Sequence, residues 1–376
     1  MPSLPLRRPI ILLGLALAAC GGAPNDSPDA GPREDGSAPD AGPFEDGGEL
    51  DSGTSAADAG EGTCPQPPAC DAPVPSLGTM GEWRHTSSRI TAAIGSPRHR
   101  GRDLWLREGD AQWALGKFAY GASDDDVKDE DVDVYLLRGC EGDWEFLGTA
   151  TTTEDGAHAT VEGVEDTGGR VYFELPPAQR LGLGRHRLLF VVQADHSTAE
   201  QFIEVLPAGA RFAITDVDGT QTESENAEFG AIFSGATVTA QPFGAELMSA
   251  FAARGYRPFY LTARPDWLQT RTVEWLSENG YPPGVVHTTL GFTGAMGNAA
   301  VVFKTGELAA LLARFPDSIE VSIGNTATDT TAFSNVGVTP ERAWLYRYDP
   351  GAMGTRIDDY GAQIPVAQTS PLSCVF

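Results

Sequence analysis

The chain has 376 residues, 41% of them hydrophobic, and a formal net charge of −26 at pH 7. That length suits about two domains with real cores. A chain so acidic lacks the basic face that a nucleic-acid backbone requires, which excludes nucleic acid as a partner class. Much of the charge is local: between residues 21 and 63 a run of Asp and Glu faces one base, Arg33.

At the start of the chain, Arg7 and Arg8 precede an apolar run from Ile10 to Ala19 that is too short for a stable membrane anchor. It ends in Leu17-Ala18-Ala19-Cys20, followed by Gly21-Gly22. This resembles the lipobox of bacterial lipoproteins. The resemblance implies lipidation of Cys20 and export, with Gly21 after the cysteine favouring the outer membrane. The alternative is an ordinary cleaved signal with a chance cysteine. Several acyl chains would hold the protein firmly to a membrane. Residues 21–78, rich in Gly, Ala, Pro, Asp and Ser, read as a disordered acidic linker, since they cannot bury enough apolar surface to offset ordering entropy. Export makes Cys64, Cys70, Cys140 and Cys374 candidates for two disulfides, with three pairings open. A metal site there is disfavoured, because no CxxC pair and no neighbouring His is present.

Residues 79–207 show short β runs between turn signals. Val132–Leu137, Trp144–Leu147, Val171–Leu175 and Arg187–Val192 are predicted strands, and Glu154-Asp155-Gly156 and Asp166-Thr167-Gly168-Gly169 are turn-like. The pattern predicts an all-β sandwich of immunoglobulin-like type. No catalytic constellation stands out in it.

From residue 208 to the end, apolar strands alternate with helical stretches. Strands are predicted at Phe212–Thr215, Pro258–Leu261, from Val285, at Ile319–Ile323 and at Ala343–Tyr346. Helices are predicted from Gly244 to Gly255, from Asp266 to about Leu276, and from Thr305 to Phe315. The alternation predicts an α/β fold, a Rossmann-like, mainly parallel sheet with helices on both faces, whose ligand site lies beyond the carboxyl ends of the strands.

Four features fall at those ends. Asp216-Val217-Asp218-Gly219-Thr220 follows the first strand. It offers two carboxylates on one side of extended chain and a glycine where the backbone must turn. One carboxylate can attack phosphorus while the other handles the leaving-group proton. A calcium loop is the rival, but the closing Glu and further oxygen ligands are missing. Thr262 follows Tyr260-Leu261, and its hydroxyl suits a phosphoryl oxygen. Lys304 is placed at the start of a helix after Val301-Val302-Phe303 and is one of only three lysines in the chain. Its charge can balance phosphate and nucleophile. Gly324-Asn325-Thr326-Ala327-Thr328-Asp329 follows another strand, and Asp329 is a carboxylate suited to a hard cation.

Taken in order, Ile214–Thr220, Tyr260-Leu261-Thr262-Ala263-Arg264-Pro265, Phe303-Lys304 and Gly324–Phe333 resemble the haloacid dehalogenase superfamily, and within it the lipin-type (lipin/Ned/Smp) phosphatidate phosphatase domain. The resemblance covers about residues 210–350. It implies Asp216 as nucleophile and Mg²⁺ ligand, and Asp218 as general acid/base that also offers a backbone carbonyl to the metal. It implies Thr262 and Lys304 as phosphoryl binders and Asp329 as a further metal ligand, with Gly219, Thr220 and Asn325 in support. Arg264 is open between a substrate phosphate and an ion pair, and His287 between the site and a structural place. The intervals 216–262 and 262–304 leave no room for a large cap domain, so an open site suited to a bulky substrate is expected. The activity expected is Mg²⁺-dependent hydrolysis of a phosphomonoester through an aspartyl-phosphate, with phosphatidate or a related lipid phosphate as the family's suggestion. The alternatives are a catalytically silent phosphatidate-binding module and a surface adhesion lipoprotein whose β domain does the work. The run Gln221–Glu225 follows the lipin pattern only loosely, and no basic amphipathic helix for anionic lipid is visible.

Overall fold

Alternating short β runs in the first half of the folded chain form two antiparallel-rich layers. The computed structural model describes residues 62–224 and 238–375, so Cys20 and most of the acidic linker lie outside the described residues. One layer holds five strands in the spatial order Leu104–Arg107, Thr198–Leu206, Gly184–Val192, Asp131–Leu137 and Glu145–Thr151. The other holds Arg100–Gly101, Trp113–Lys117 and Arg170–Glu174. Leu106, Leu115, Val134, Val171, Phe190 and Ile203 fill the space between them. The strand Thr198–Leu206 is hard to see in the sequence because it buries Gln201 and Glu204. Those polar groups are satisfied: Gln201 bonds the backbone of Arg102, Trp113 and Leu115, and Glu204 accepts from Arg185 and Arg257.

The second half is the expected α/β fold. Its six strands run Val285–His287, Arg257–Leu261, Phe212–Thr215, Ile319–Gly324, Ala343–Tyr346 and Thr355–Ile357, and every adjacent pair is parallel. The edge strand Thr355–Ile357 lies beyond the last predicted strand, Ala343–Tyr346, and carries little sequence signal because it is only three residues long. Helices Gly244–Ala253, Gln269–Glu278, Asn298–Arg314 and Ala327–Asn335 connect the strands. Lys304 is corrected from a helix start to a helix interior. Val301-Val302-Phe303 is helical rather than strand-like, because Ala300, Lys304, Leu308 and Leu311 recur at helical spacing on one buried face while Val302 points outward.

The two layers of structure share a core. Trp105 from the sandwich packs with Leu206, Phe259 and Phe315. Around it lie buried polar contacts that cross between the halves. Asp103 accepts from the backbone N–H of Phe202 at 2.8 Å and of Val286 at 3.1 Å. His287 lies between Glu307 (Nδ1 to Oε2, 2.6 Å) and the Asp103 carbonyl (Nε2 to O, 2.8 Å), so it is structural. Cys64 pairs with Cys374 and Cys70 with Cys140, which selects one of the three pairings.

Burial pushes the Asp103 carboxyl up to about 6, against the pull of its two N–H donors and of Arg185. A carboxyl raised above its unfolded value keeps its proton longer in the native state, so stability falls as pH rises through that window. Between about pH 4 and pH 6 the loss should reach about 3 kcal/mol. Asp103→Asn should flatten this part of the pH profile in denaturant unfolding. It should also destabilise by about 1–3 kcal/mol, because one side of the amide would face a backbone N–H with a donor.

Candidate active site

The strand Phe212–Thr215 is fully buried at the centre of the parallel sheet, so the residues just beyond it are delivered to the sheet's carboxyl edge. Asp216 anchors there through its N–H to the Ile323 carbonyl at 2.9 Å. The chain then turns at Gly219, whose φ of 70° suits glycine. The Thr220 hydroxyl donates to Asn325 Oδ1 at 2.9 Å and lies 3.2 Å from Asp216 Oδ2, which ties the first loop to the fourth.

Asp329 reaches the same place from the helix Ala327–Asn335. Its Oδ2 accepts from the N–H of Asn325 and Thr326 and from the Thr326 hydroxyl, which closes a capping box. Gly324 makes this possible: a Cβ there would sit 2.3 Å from the Asp329 Cβ. Lys304, from the interior of Asn298–Arg314, places one ammonium between the two carboxylates, 2.7 Å from Asp216 Oδ1 and 2.5 Å from Asp329 Oδ1. All three side chains are buried. Burial holds the Asp216 carboxyl above its usual range, Asp329 and Asp218 reinforcing this and Lys304 opposing it. At Asp329 burial acts the same way, but Lys304 and the cap donors outweigh it and hold the carboxyl low. Burial works against the Lys304 charge as well, yet the two carboxylates keep its ammonium protonated to well above the usual range.

Asp218 is held from a second direction. The Thr262 hydroxyl donates to its Oδ2 at 3.0 Å, and Arg264 grips both oxygens, Nε to Oδ2 at 2.8 Å and Nη2 to Oδ1 at 2.7 Å. Arg264 is itself fixed by Nη1 to the Thr272 hydroxyl at 3.0 Å. The ion-pair reading of Arg264 is therefore the one the geometry adopts. Thr262 is fully buried beneath Asp218. The mouth of the site is an open pocket of about 240 Å³ lined by Asp216, Asp218, Lys304, Thr326 and Thr328, and by Ala263, Ala295, Met296, Gly297 and Ala300. Sequence reasoning passed over the segment around Met296. Its only signal is the glycine spacing of Gly291-Phe292-Thr293-Gly294-Ala295-Met296-Gly297.

The donor chemistry suits a hard divalent cation. Asp216 and Asp329 are hard oxygen donors with no sulfur or imidazole beside them, although the oxygens they turn toward each other both meet the Lys304 ammonium. Among the described residues no cluster of three or more His, Cys, Asp or Glu side chains is arranged for a metal. A cation would therefore rely on these two carboxylates, a backbone carbonyl such as that of Asp218, and water.

Removing the Lys304 charge would leave two buried carboxylates facing each other. Lys304→Met should destabilise by about 3–5 kcal/mol. Adding Asp329→Asn to that variant should recover part of the loss, as read by urea or guanidinium unfolding.

Residues 213–346 match the family model described as the PITM 1-3 LNS2 domain, and residues 97–205 match the PITM 1-3 beta-sandwich domain. Human membrane-associated phosphatidylinositol transfer protein 2 is 25% identical over 266 residues, covering 70% of this chain and 18% of its own. Drosophila melanogaster protein retinal degeneration B is 26% identical over 266 residues, covering 70% of this chain and 19% of its own. The chain thus spans about a fifth of the length of these relatives. It carries an all-β sandwich followed by an α/β domain that matches the LNS2 model.

Proposed function

We propose that the LNS2-type half of this chain is a Mg²⁺-dependent phosphatase that hydrolyses a phosphomonoester through an aspartyl-phosphate on Asp216. The observation that carries this reading is the arrangement of three side chains: Asp216 and Asp218 both line one open mouth, and Lys304 lies against Asp216.

In this mechanism an Asp216 carboxylate oxygen attacks phosphorus and the P–O bond to the alcohol breaks. Asp218, whose two oxygens accept from Arg264 and Thr262 at rest, first takes a proton from solvent and gives it to the departing alkoxide, then takes one from the water that attacks the acyl phosphate. Inorganic phosphate leaves and Asp216 is restored. Thr262 and Arg264 fix the orientation in which Asp218 meets the leaving group, while Lys304 offsets charge at Asp216 and on the phosphoryl oxygens. Asp216, Asp329 and the Asp218 carbonyl would hold Mg²⁺, which when bound supplies further charge neutralisation at the phosphoryl group. In the same proposal the N-terminal segment exports the chain and Cys20 anchors it to a bacterial membrane.

A second reading, phosphate-lipid binding without turnover, draws support from two facts. The matching relatives are named for phosphatidylinositol transfer, and Arg264 occupies both oxygens of Asp218. A phosphate-release assay with Mg²⁺ or EDTA, across phosphatidate and soluble phosphomonoesters, separates the two. Turnover should require the metal. Asp216→Asn should remove it, and Asp218→Asn should lower kcat about 10²- to 10⁴-fold. Release that survives EDTA or Asp216→Asn would refute the mechanism. Binding to phosphatidate without any release would favour the second reading.

A further inference from the structure

A second gathering of buried charge lies at the seam between the sandwich and the α/β half. Arg100, Arg102, Lys117 and Arg170 come from the sandwich and Asp266 from the α/β half, and all are nine-tenths or more buried. These five line one cavity of about 20 Å³, which Gln269 and Thr288 close from the α/β side. That is room for an ion or molecule of a few atoms and no more.

A charge so far from bulk water needs a partner in contact with it. Arg100 holds Asp124 with both Nη groups, at 2.6 and 2.7 Å, Lys117 holds Asp126 at 2.5 Å, and Arg102 holds Glu307 at 2.6 Å. None of these three carboxylates lines the cavity. The one that does, Asp266, accepts from Arg100 Nη2 at 2.9 Å through its Oδ2. Arg170 is left without a carboxylate at hydrogen-bond distance, because Asp266 Oδ2 is 3.8 Å from its Nη2. Its Nε donates to the Thr167 hydroxyl at 3.2 Å, and its two Nη groups donate to no acceptor among the described residues. Arg100 Nε and Arg102 Nε also lack an acceptor there. Burial pulls the Arg170 guanidinium below its ordinary value, Asp266 opposing this and Arg100 adding to it. Lys117 is lowered by burial too, with Asp126 opposing and Arg170 and Arg100 adding. Four cations thus face the cavity against one carboxylate, and they bring charged N–H groups still free to donate. Such donors make the strong, short bonds that anions accept. Asp266 Oδ1 has no donor either. Bicarbonate can give its hydroxyl proton to that oxygen while accepting from the arginines, whereas a halide only accepts.

We propose that this cavity binds one small monovalent anion, chloride or bicarbonate, held by the Arg170 Nη groups together with Arg100 Nε and Arg102 Nε. The ion is a joint between the halves: its donors belong to the sandwich, and Asp266, Gln269 and Thr288 close over it from the α/β side. The site is independent of the phosphatase reading, and no bond is made or broken in it.

The test melts the full chain in sodium gluconate, chloride and bicarbonate at equal ionic strength and one pH. Gluconate is too large for the cavity and stands for the general effect of salt. Chloride or bicarbonate should raise Tm by about 2 °C or more over gluconate, in a concentration-dependent way. Whichever acts at the lower concentration is the ion of the site. Arg170→Met should erase the difference between salts. Because that variant removes a buried charge and could fail to fold, the parent chain is also crystallised in bromide and in bicarbonate. A bromide anomalous peak, or flat density of bicarbonate shape, between Arg100, Arg102 and Arg170 sustains the proposal. Equal melting in all three salts overturns it. So does a chloride or bicarbonate shift that survives in Arg170→Met, or a lone water in the cavity of both crystals.

Discussion

One ammonium between two buried carboxylates organises the carboxyl edge of the parallel sheet. Lys304, Asp216 and Asp329 come from three separate segments, and none of them tolerates burial alone. Together they leave one net negative charge in a low-dielectric place, which raises the Asp216 carboxyl while Asp329 stays ionised. The remaining local features serve that triad. Gly324 clears space for Asp329, the capping box fixes it, and Thr220 links the first loop to the fourth.

The sandwich is joined to this arrangement rather than merely attached ahead of it. Trp105 shares an apolar cluster with the α/β half, and Arg102 donates to the Thr288 carbonyl and to Glu307. Asp266, next to the loop that ends in Arg264 and Pro265, receives Arg100 from the sandwich at 2.9 Å. A side chain of one half therefore braces the strand end that positions Asp218 in the other.

The parallel sheet was legible because its strands are short apolar runs, three of which lead into Asp216, Thr262 and Gly324, and a one-residue error in their bounds changes little. Asp216, Asp218, Lys304 and Asp329 could be picked out because each is a charged residue in an otherwise apolar or small-residue setting. What lay hidden depends on partners distant in sequence. Glu204 looks like a surface residue until Arg185 and Arg257 are beside it. Arg264 was open between two roles until its fork met Asp218. Val301-Val302-Phe303 misled because three apolar residues fit a strand as well as a helix, and only the burial of Ala300 and Leu308 decides.

The Cys64–Cys374 bond has a mechanical meaning. Cys64 also donates its N–H to Ala253, at the end of the helix Gly244–Ala253, and Ser373 donates to Arg254. That helix end lies at the amino edge of the parallel sheet, across the fold from Asp216. Tension applied to the chain ahead of Gly62 is therefore taken up by a covalent knot at the far pole of the domain, joined to the last residues of the chain. The load is shared with the body of the sheet before it can reach the loops that carry Asp216 and Asp329, so the protein can be pulled from one end while its other end stays in register.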